Sequence, residues 1–189
     1  MRIKSEEDIL RLVEDDEWMM DILKTVQTLK LTDWWVCAGF VRSKIWDVLH
    51  GFDERTVLPD IDVIYFDPTN VNENEEKKLE MQLKSVAPSI PWSIKNQARM
   101  HVKNNLPPYS SSIDGMANFP ETATALGLTL GEKKHIRLAA PYGISDVINL
   151  EVKPIPRFMT NEILASVYEE RVREKNWIGR WHKLKISHI

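Results

Sequence analysis

The sequence of 189 residues predicts a chain of the α/β or α+β class, in which helices flank a small mixed β-sheet. Two observations predict this class: apolar residues recur at helical spacing near the N-terminus, and short aromatic and β-branched runs alternate with further helical segments. Hydrophobic residues make up 43% of the sequence, which is enough for a substantial core. We therefore expect residues 1–189 to form a single domain, with a helical N-terminal segment (about 1–33) and a basic C-terminal helix and tail (about 160–189).

The N-terminal third of the sequence alternates helices with buried strands. Ser5 opens an acidic turn, and apolar residues at helical spacing predict one or two amphipathic helices, to about Lys30, that cover the sheet. The next elements are a buried strand over residues 34–38 that ends at Gly39, a helix over residues 41–50 with Gly51 as its C-cap, and a second strand over residues 60–66.

The remaining sequence predicts a less regular set of elements. Residues 72–86 have the thin apolar stripe of an exposed helix, and residues 92–102 alternate as a third strand. A polar loop follows over residues 103–118, and Pro120 opens a short helix that Gly127 ends. The last predicted elements are a hairpin with strands at 128–130 and 135–139 and a turn at 131–134, a short helix within 141–150, an edge strand at 151–153, and a helix over 160–175 capped by Thr160.

Composition excludes several classes of protein. The sequence has no run of eighteen apolar residues and no apolar signal-peptide core near its start, so we expect a cytoplasmic protein that neither spans a membrane nor binds one. Cys37 is the single cysteine, which excludes an internal disulfide and a cysteine-based zinc site. We interpret it as a buried core residue.

The charge of the chain is unevenly distributed. A net charge of -3 and a pI near 6.0 argue against a broad basic surface for nonspecific nucleic-acid binding. Residues 171–189, however, hold six lysines and arginines and one acid, Glu174. This segment could contact RNA or a polyphosphate, but we favour a solvated surface that balances an acidic N-terminus.

Two aspartates at the start of the second predicted strand are the main candidates for chemistry. Asp60 and Asp62 are two residues apart, so they point to the same face of that strand. Adjacent carboxylates repel each other unless a hard cation such as Mg²⁺ or Mn²⁺ lies between them. The spacing and the upstream turn at Gly39 therefore indicate metal and phosphate chemistry. The alternative is a pair of carboxylates that cap a neighbouring turn.

The order of these motifs resembles the polymerase-β-type nucleotidyltransferase superfamily, in which a small-residue turn precedes a strand bearing Asp-x-Asp. Four segments are more closely similar to a bacterial nucleotidyltransferase-like family, and the similarity spans about residues 34–157. These segments are Ala38-Gly39-Phe40-Val41-Arg42 with Trp46-Asp47, residues 60–67, residues 96–101 and residues 120–127.

The resemblance implies a nucleotidyltransferase-like fold and the transfer of a nucleoside monophosphate from an NTP to a hydroxyl group. It implies that Asp60 and Asp62 hold Mg²⁺ or Mn²⁺ and are catalytic, and that Gly39, Phe40 and Arg42 contact the nucleotide. The acceptor is not identified; we expect a small molecule, and RNA is possible but not favoured.

The sequence departs from the superfamily pattern at three places. Phe40 replaces the usual serine or glycine of the turn, and the gap from Gly39 to Asp60 is longer than the usual spacing. No acid follows in the next strand, where a third carboxylate is expected. The residues that could complete the site, or contact a substrate, are Asn96, Arg99, Asp114, Glu121 and Asp146.

Other interpretations remain open from the sequence. A catalytically silent module that binds a nucleotide or a protein would keep the fold without the third acid. Arg42 could pair with Asp47 or Glu54 instead of a phosphate. Trp177 and Trp181 could stack on bases, although we favour packing in the core.

Overall fold

A computed structural model describes residues 3–131 and 135–189. The helices are Glu6–Glu14 (α1), Glu17–Gln27 (α2), Gly39–His50 (α3), Glu73–Val86 (α4), Gln97–Met100 (α5), Ser112–Met116 (α6), Ser145–Ile148 (α7), Pro156–Met159 (α8), Glu162–Lys175 (α9) and Trp177–Arg180 (α10), with a 3₁₀ turn at His101–Asn104. The strands are Trp35–Cys37 (β1), Ile61–Tyr65 (β2), Trp92–Asn96 (β3), Gly127–Leu130 (β4), Ile136–Ala139 (β5), Glu151–Val152 (β6) and Lys185–Ile186 (β7).

Five of these strands form a mixed sheet in the order β3-β2-β1-β4-β5. Strands β2 and β3 run parallel, and the other neighbours are antiparallel. Strands β6 and β7 form a separate parallel pair. The predicted class, a small mixed sheet flanked by helices, is confirmed. None of the helices in the described ranges has the length and apolar character of a membrane span.

The larger part of the core lies on one face of the sheet. Helices α1 and α2 pack on β5 and β4, as predicted, while α3 packs on β1 and β2 and α4 packs on β3. Strand alternation decides which side chains take part, because successive residues point to opposite faces. Val36 and Val63 therefore join the large cluster, whereas Cys37 and Ile64 lie on the other face.

That second face has a thinner apolar layer and carries the polar residues of interest. Its buried cluster is small, and Met116 and Ala125 cover the sheet there. Asp62 lies on β2 opposite Cys37 of β1, two residues before Ile64, so its side chain belongs to this face. The sparse covering leaves room for cavities beside the strand.

Helix ends follow local sequence signals in most places. Ser5 caps α1 in a capping box with Asp8, and Gly51 ends α3 in the left-handed conformation with φ 73°, both as predicted. The cap of the last long helix was predicted one residue early. Asn161, not Thr160, accepts the N–H groups of the first turn of α9, at 3.1 Å each.

Three predicted elements differ in the structure. The strand over 92–102 ends at Asn96, because the Asn96 side chain accepts the N–H of Ala98 at 3.1 Å and caps α5. The predicted loop 103–118 contains α6. The predicted helix after Pro120 is wrong, since Glu121 forms a β-bridge with Pro154. The two strands of the predicted hairpin are present, whereas residues 132–134 of its turn lie outside the described residues.

Carboxylates from α4 cover the exposed edge of the sheet. Glu80 accepts the N–H of Ile94 at 2.9 Å, and the fully buried Glu76 accepts that of Asn96 at 2.8 Å. Arg99 pairs with Glu76 through two nitrogens, at 2.6 and 2.7 Å. These contacts provide acceptors for backbone N–H groups at the edge of β3, which would otherwise be available to pair with another chain.

His50 joins the C-terminal segment to α3. Its Nδ1 lies 2.8 Å from the carbonyl oxygen of Trp46, and its Nε2 accepts the N–H of Lys183 at 3.0 Å. Because Nε2 accepts a hydrogen bond, the proton resides on Nδ1, which donates to the carbonyl, and the ring is neutral. Burial lowers the pKa of His50, and the nearby Lys183 and His182 act in the same direction.

We therefore expect stability to fall as the pH drops below about 6.5, where the unfolded His50 becomes protonated. The folded pKa lies below the unfolded one, so the contribution is complete at higher pH and is lost on acidification. Thermal unfolding at pH 7.5 and 5.5 measures this loss, with His50→Gln as the comparison. An equal fall in Tm for both proteins would contradict the assignment.

Candidate functional site

The turn between β1 and α3 has an unusual backbone at Ala38. Its φ and ψ are 58° and -119°, a conformation that strains residues with a Cβ. The Ala38 carbonyl accepts the N–H groups of Val41 and Arg42, at 3.2 and 3.0 Å, and so begins the helix. Strain of this kind is often retained where a backbone must present a binding surface. Gly39, by contrast, is already the first residue of α3.

Glycine at position 39 is not required by the packing of the protein itself. A Cβ placed there would lie 3.6 Å from Nη2 of Arg42 and 3.7 Å from Cδ2 of Leu58, which are ordinary contacts. Gly39 lines a cavity of about 660 Å³, so the missing side chain leaves that cavity open above the helix start. Phe40 points the other way and packs in the core, 5.9 Å from the ring of Trp18.

Asp60 and Asp62 both line this larger cavity. Among the residues that the structure describes, neither carboxylate forms an ion pair with a lysine or arginine within 4.0 Å. Burial, followed by repulsion from Asp60, raises the pKa of Asp62 to about 6. Arg171 and Arg42 oppose this rise from a distance. The two carboxylates thus face each other's charge without a direct counter-ion.

The wall of the larger cavity holds more basic than acidic residues. The cationic residues that line it are Arg42, Arg55, Arg171, Lys175 and Arg180. Glu54, Asp60 and Asp62 are the acids among its lining residues. Three of the cations, together with Trp177 and Trp181, come from the C-terminal segment. Part of the basic tail that we interpreted as a solvated surface therefore faces the candidate site.

Arg42 is held rigidly at the base of this cavity. Its guanidinium lies 5.0 Å from the ring centre of Trp46 and 4.7 Å from that of Trp177, and it donates to the Thr124 hydroxyl at 2.7 Å. Burial lowers the pKa of Arg42 to about 10, so the group stays positive at neutral pH. Its buried Nε has no hydrogen-bond partner within the described ranges.

Neither of the alternative partners considered for Arg42 binds it. Asp47 accepts hydrogen bonds from Trp181 and Thr56 instead, at 2.8 and 2.6 Å from their side chains. Glu54 forms no ion pair with any arginine or lysine in the part of the chain that the structure describes. Trp177 and Trp181 are buried against Trp46, which confirms their packing role.

Glu121 lies beside the two arginines of the site. Its Oε1 accepts a hydrogen bond from Nε of Arg171 at 2.6 Å, and the whole side chain is buried. Its Oε2 is buried without a partner in residues 3–131 and 135–189. Glu121 raises the pKa of Arg42, against the larger effect of burial. It does not line the cavities that Asp62 lines, so it acts as a counter-ion behind them.

The other polar candidates are not brought to the Asp60–Asp62 pair. Asn96 donates to backbone carbonyls of Asp67 and Asn70, and Arg99 is occupied by Glu76. Asp114 accepts from the N–H and hydroxyl of Ser110, and Asp146 pairs with Lys153 at 2.9 Å. These side chains satisfy local backbone or charge and line neither cavity.

A smaller cavity of about 320 Å³ adjoins the other side of Asp62. Ser93 of β3 lies directly beside Asp62 in the parallel register, and Lys95 lies beside Ile64. Serine and lysine thus stand on the strand where a third carboxylate was expected. The described residues contain no group of three or more histidine, cysteine, aspartate or glutamate side chains that could hold a metal ion.

Several residues of the site were not predicted from the sequence to belong to it. Thr124 and Ser93 carry no signal of their own, because hydroxyl residues occur throughout the chain. Arg171 and Trp177 lie in the basic, tryptophan-containing C-terminal segment, and that unusual composition was the signal available.

Comparison with solved structures finds a relative that matches over nearly the whole chain. The chain is 37% identical to an NMR structure described as a CCA-adding enzyme head domain, over 99% of this chain and 98% of that one, with a TM-score of 0.89. No match was found among curated proteins.

More distant structures share the fold. A CCA-adding enzyme in complex with CTP is 14% identical with a TM-score of 0.58, and the Thermotoga maritima CCA-adding enzyme in complex with tRNA is 15% identical with a TM-score of 0.56. Both are matched over 100% of this chain but only 44% of their own, so the chain spans less than half of their length.

A family model described as nucleotidyltransferase matches residues 24–186, which is most of the chain. This match and the 37% identity to a CCA-adding enzyme head domain agree with the five-stranded mixed sheet flanked by helices. The chain belongs to the nucleotidyltransferase family.

Proposed function

We propose that this protein transfers a nucleoside monophosphate from an NTP to a hydroxyl group, with Asp60 and Asp62 holding Mg²⁺ or Mn²⁺. The observation that carries this proposal is the position of the two carboxylates. They line a basic cavity next to the start of α3 and have no lysine or arginine partner in the described part of the chain. Nucleotidyltransferases in general use divalent metal ions, which supports the same assignment.

The residues present fit a divalent metal ion. Magnesium is commonly bound by one or two carboxylates and the phosphates of a substrate, so a third protein ligand is not needed. The unpaired charges of Asp60 and Asp62 would be compensated by such an ion. When bound, the ion would neutralise charge on the triphosphate and polarise the phosphorus that is attacked.

The larger cavity suits the triphosphate of the NTP. The N–H groups of Gly39 and Phe40 are the first of α3 and have no intrahelical acceptor, so they can bind phosphate oxygens. Arg42 and Arg171 supply fixed positive charge, and the Trp46–Trp177 pair holds the Arg42 guanidinium in one orientation. In this proposal Phe40 contributes its backbone only, since its side chain is buried.

The acceptor is open between a small molecule and an RNA end. A preference for a small acceptor is not supported, since CCA-adding enzymes of the same fold have been solved with CTP and with tRNA. In either case the acceptor oxygen attacks the α-phosphorus, the bond to the β-phosphate oxygen breaks, and pyrophosphate leaves. The hydroxyl proton passes to solvent.

A catalytically silent nucleotide-binding module is the second candidate. Ser93 lies beside Asp62 where the superfamily pattern leads us to expect an acid, and among the residues that the structure describes no acid besides Asp62 lines the smaller cavity. Without a general base, turnover would depend on the metal and on the two aspartates.

Titration with ATP, CTP, GTP and UTP, with and without Mg²⁺, tests the proposal. We expect metal-dependent binding that is lost in the Asp60→Asn/Asp62→Asn variant. Binding that is absent, or equal in the parent protein and the variant, would contradict it. Metal-dependent release of pyrophosphate with a hydroxyl acceptor would then distinguish the enzyme from the silent module.

Gly39→Ala separates binding from folding. Because the new Cβ makes only ordinary contacts within a helix, we expect the free energy of unfolding to stay the same or to rise by up to about 1 kcal/mol. The same Cβ projects into the larger cavity, so NTP affinity should fall about tenfold, which is about 1.4 kcal/mol. Chemical denaturation and NTP titration of the same preparation measure the two effects. Unchanged NTP affinity would exclude this cavity as the triphosphate site.

A further inference from the structure

We infer that the smaller cavity is the acceptor site and that the acceptor carries a phosphate group in addition to its reacting hydroxyl. This inference rests on the proposed function, because it assigns the second substrate of the same centre. Two observations support it. The smaller cavity adjoins Asp62 on the side away from the larger cavity, and basic residues line it.

The two cavities meet at the β1–α3 turn and at Asp62. Ala38, Asp62 and Arg171 line both of them. Gly39, Arg42 and Asp60 line only the larger cavity. A triphosphate at the start of α3 therefore leaves the smaller cavity free, and a molecule bound there would approach the same carboxylate from the side of β3.

The smaller cavity has an excess of positive charge. Lys95, Lys103 and Arg171 line it, and among the described residues Asp62 is the one carboxylate in its lining. A neutral hydroxyl compound would gain only hydrogen bonds from these cations, whereas a phosphate would also be attracted by their charge.

These cations retain the capacity to bind a ligand. Lys103 is exposed and has no ion-pair partner within residues 3–131 and 135–189. The Lys95 ammonium donates one long hydrogen bond to Glu76, at 3.4 Å, and lies 3.8 Å from Glu80, so it keeps further N–H groups for a ligand. Arg171 uses Nε for Glu121, so its terminal nitrogens can still donate to a phosphate.

The rest of the lining suits a compact polar molecule. Tyr109 is partly buried against His101, with ring centres 6.0 Å apart, and Asn118 and Phe119 close the cavity towards α6. A volume of about 320 Å³ can hold one sugar phosphate or one nucleotide. The shared chemistry is therefore a hydroxyl on a phosphorylated unit, either a free small molecule or the 3′-terminal nucleotide of an RNA.

In the reaction one phosphoester bond forms to this acceptor, and one pyrophosphate leaves from the NTP. Its hydroxyl oxygen bonds to the α-phosphorus of the NTP, the bond from that phosphorus to the bridging oxygen breaks, and the hydroxyl proton leaves to solvent. The acceptor's own phosphate is unchanged and serves only for binding. No oxidant or further reactant is needed.

The test measures binding to the full chain with Mg²⁺ and a saturating nonhydrolysable ATP analogue present. The probes are ribose 5-phosphate, ribose, and a short single-stranded RNA with a free 3′-hydroxyl. We expect ribose 5-phosphate or the RNA to bind at least about tenfold more tightly than ribose. The tighter of the two identifies the source of the phosphate.

Two variants test whether the phosphorylated probe binds in the smaller cavity. Lys103→Glu should weaken the phosphorylated probe about tenfold or more and leave the affinity for the ATP analogue within about twofold. Lys84→Glu, on the exposed face of α4, makes the same change in charge away from both cavities and should leave both affinities unchanged.

Equal binding of ribose and ribose 5-phosphate together with no binding of RNA, or equal effects of Lys103→Glu and Lys84→Glu, would overturn this assignment. Failure of the ATP analogue to bind would instead count against the proposed function itself. The two failures are therefore distinguishable in one experiment.

Discussion

Asp62→Asn is expected to stabilise the metal-free protein while it abolishes metal-dependent nucleotide binding. In the parent protein, burial and the neighbouring Asp60 raise the pKa of Asp62 to about 6. Holding this carboxylate ionised at neutral pH therefore costs about 2–3 kcal/mol of folding free energy. An uncharged amide of the same shape avoids that cost, but it is a much weaker ligand for Mg²⁺.

The sign of the pH dependence follows from the same shift. A carboxyl whose folded pKa is raised costs the protein its full stability penalty above the folded pKa, and this penalty shrinks as the pH falls from the folded towards the unfolded pKa. The gain in stability from Asp62→Asn should therefore shrink as the pH falls from 7 to 5.

Urea denaturation of metal-free protein at the two pH values measures this difference. Asp53→Asn, in an exposed loop, makes the same change in charge and should have little effect. Loss of stability in Asp62→Asn at pH 7 would show that the carboxylate makes favourable contacts inside the protein, and that would argue against a vacant metal ligand.

Glu121→Ala is expected to destabilise the protein by about 3 kcal/mol, because removing one partner of a buried ion pair leaves the other charge uncompensated. Glu121 is completely buried, binds Arg171 at 2.6 Å and lies near the buried Arg42. Glu121 also fixes the position of Arg171 by accepting its Nε hydrogen bond, and both arginines line the larger cavity. We therefore expect NTP affinity to fall as well. Chemical denaturation measures the loss, and Glu170→Ala, an exposed acid on α9, is the control.

The alternative role for Glu121 is that of the third metal ligand, and Glu121→Gln distinguishes the two. A counter-ion role predicts a clear loss of stability in Glu121→Gln even without metal, since both arginines lose their negative partner. A ligand role predicts reduced Mg²⁺ affinity with stability nearly unchanged.

Much of the fold follows from patterns of adjacent residues. The apolar spacing between Ser5 and Lys30 predicts α1 and α2, and the alternation after Asp60 gives β2 with Asp62 on the thin face. Gly51 ends α3 as its position predicts. In each of these places a local periodicity or a cap agrees with the packing that the sheet imposes.

The differences occur where distant residues decide the local structure. The chain after Pro120 does not form a helix because Glu121 pairs with Pro154, 33 residues after Glu121. Asn96 ends β3 early because its side chain binds the backbone of Ala98, just after β3, and that of Asp67, just after β2. Ala38 adopts a positive φ that its own sequence gives no reason to expect.

The candidate site was predictable only where it depends on residues that are close together in the sequence. The spacing of Asp60 and Asp62 places both carboxylates on one cavity, and Gly39 is at its edge. Arg171 reaches that cavity only because α9 folds back across it, 109 residues after Asp62 in the chain. Asn96 and Arg99 are polar residues of the right kind, but the edge of the sheet and α4 use them instead.

Paramagnetic broadening by Mn²⁺ in NMR spectra tests the central assignment most directly. In the presence of a nonhydrolysable ATP analogue, substoichiometric Mn²⁺ should broaden the amide signals of residues 60–62 and 38–40 in the parent protein. The Asp60→Asn/Asp62→Asn variant should lose this effect. Broadening centred on another part of the chain, or equally strong in the variant, would contradict a metal site at these two aspartates.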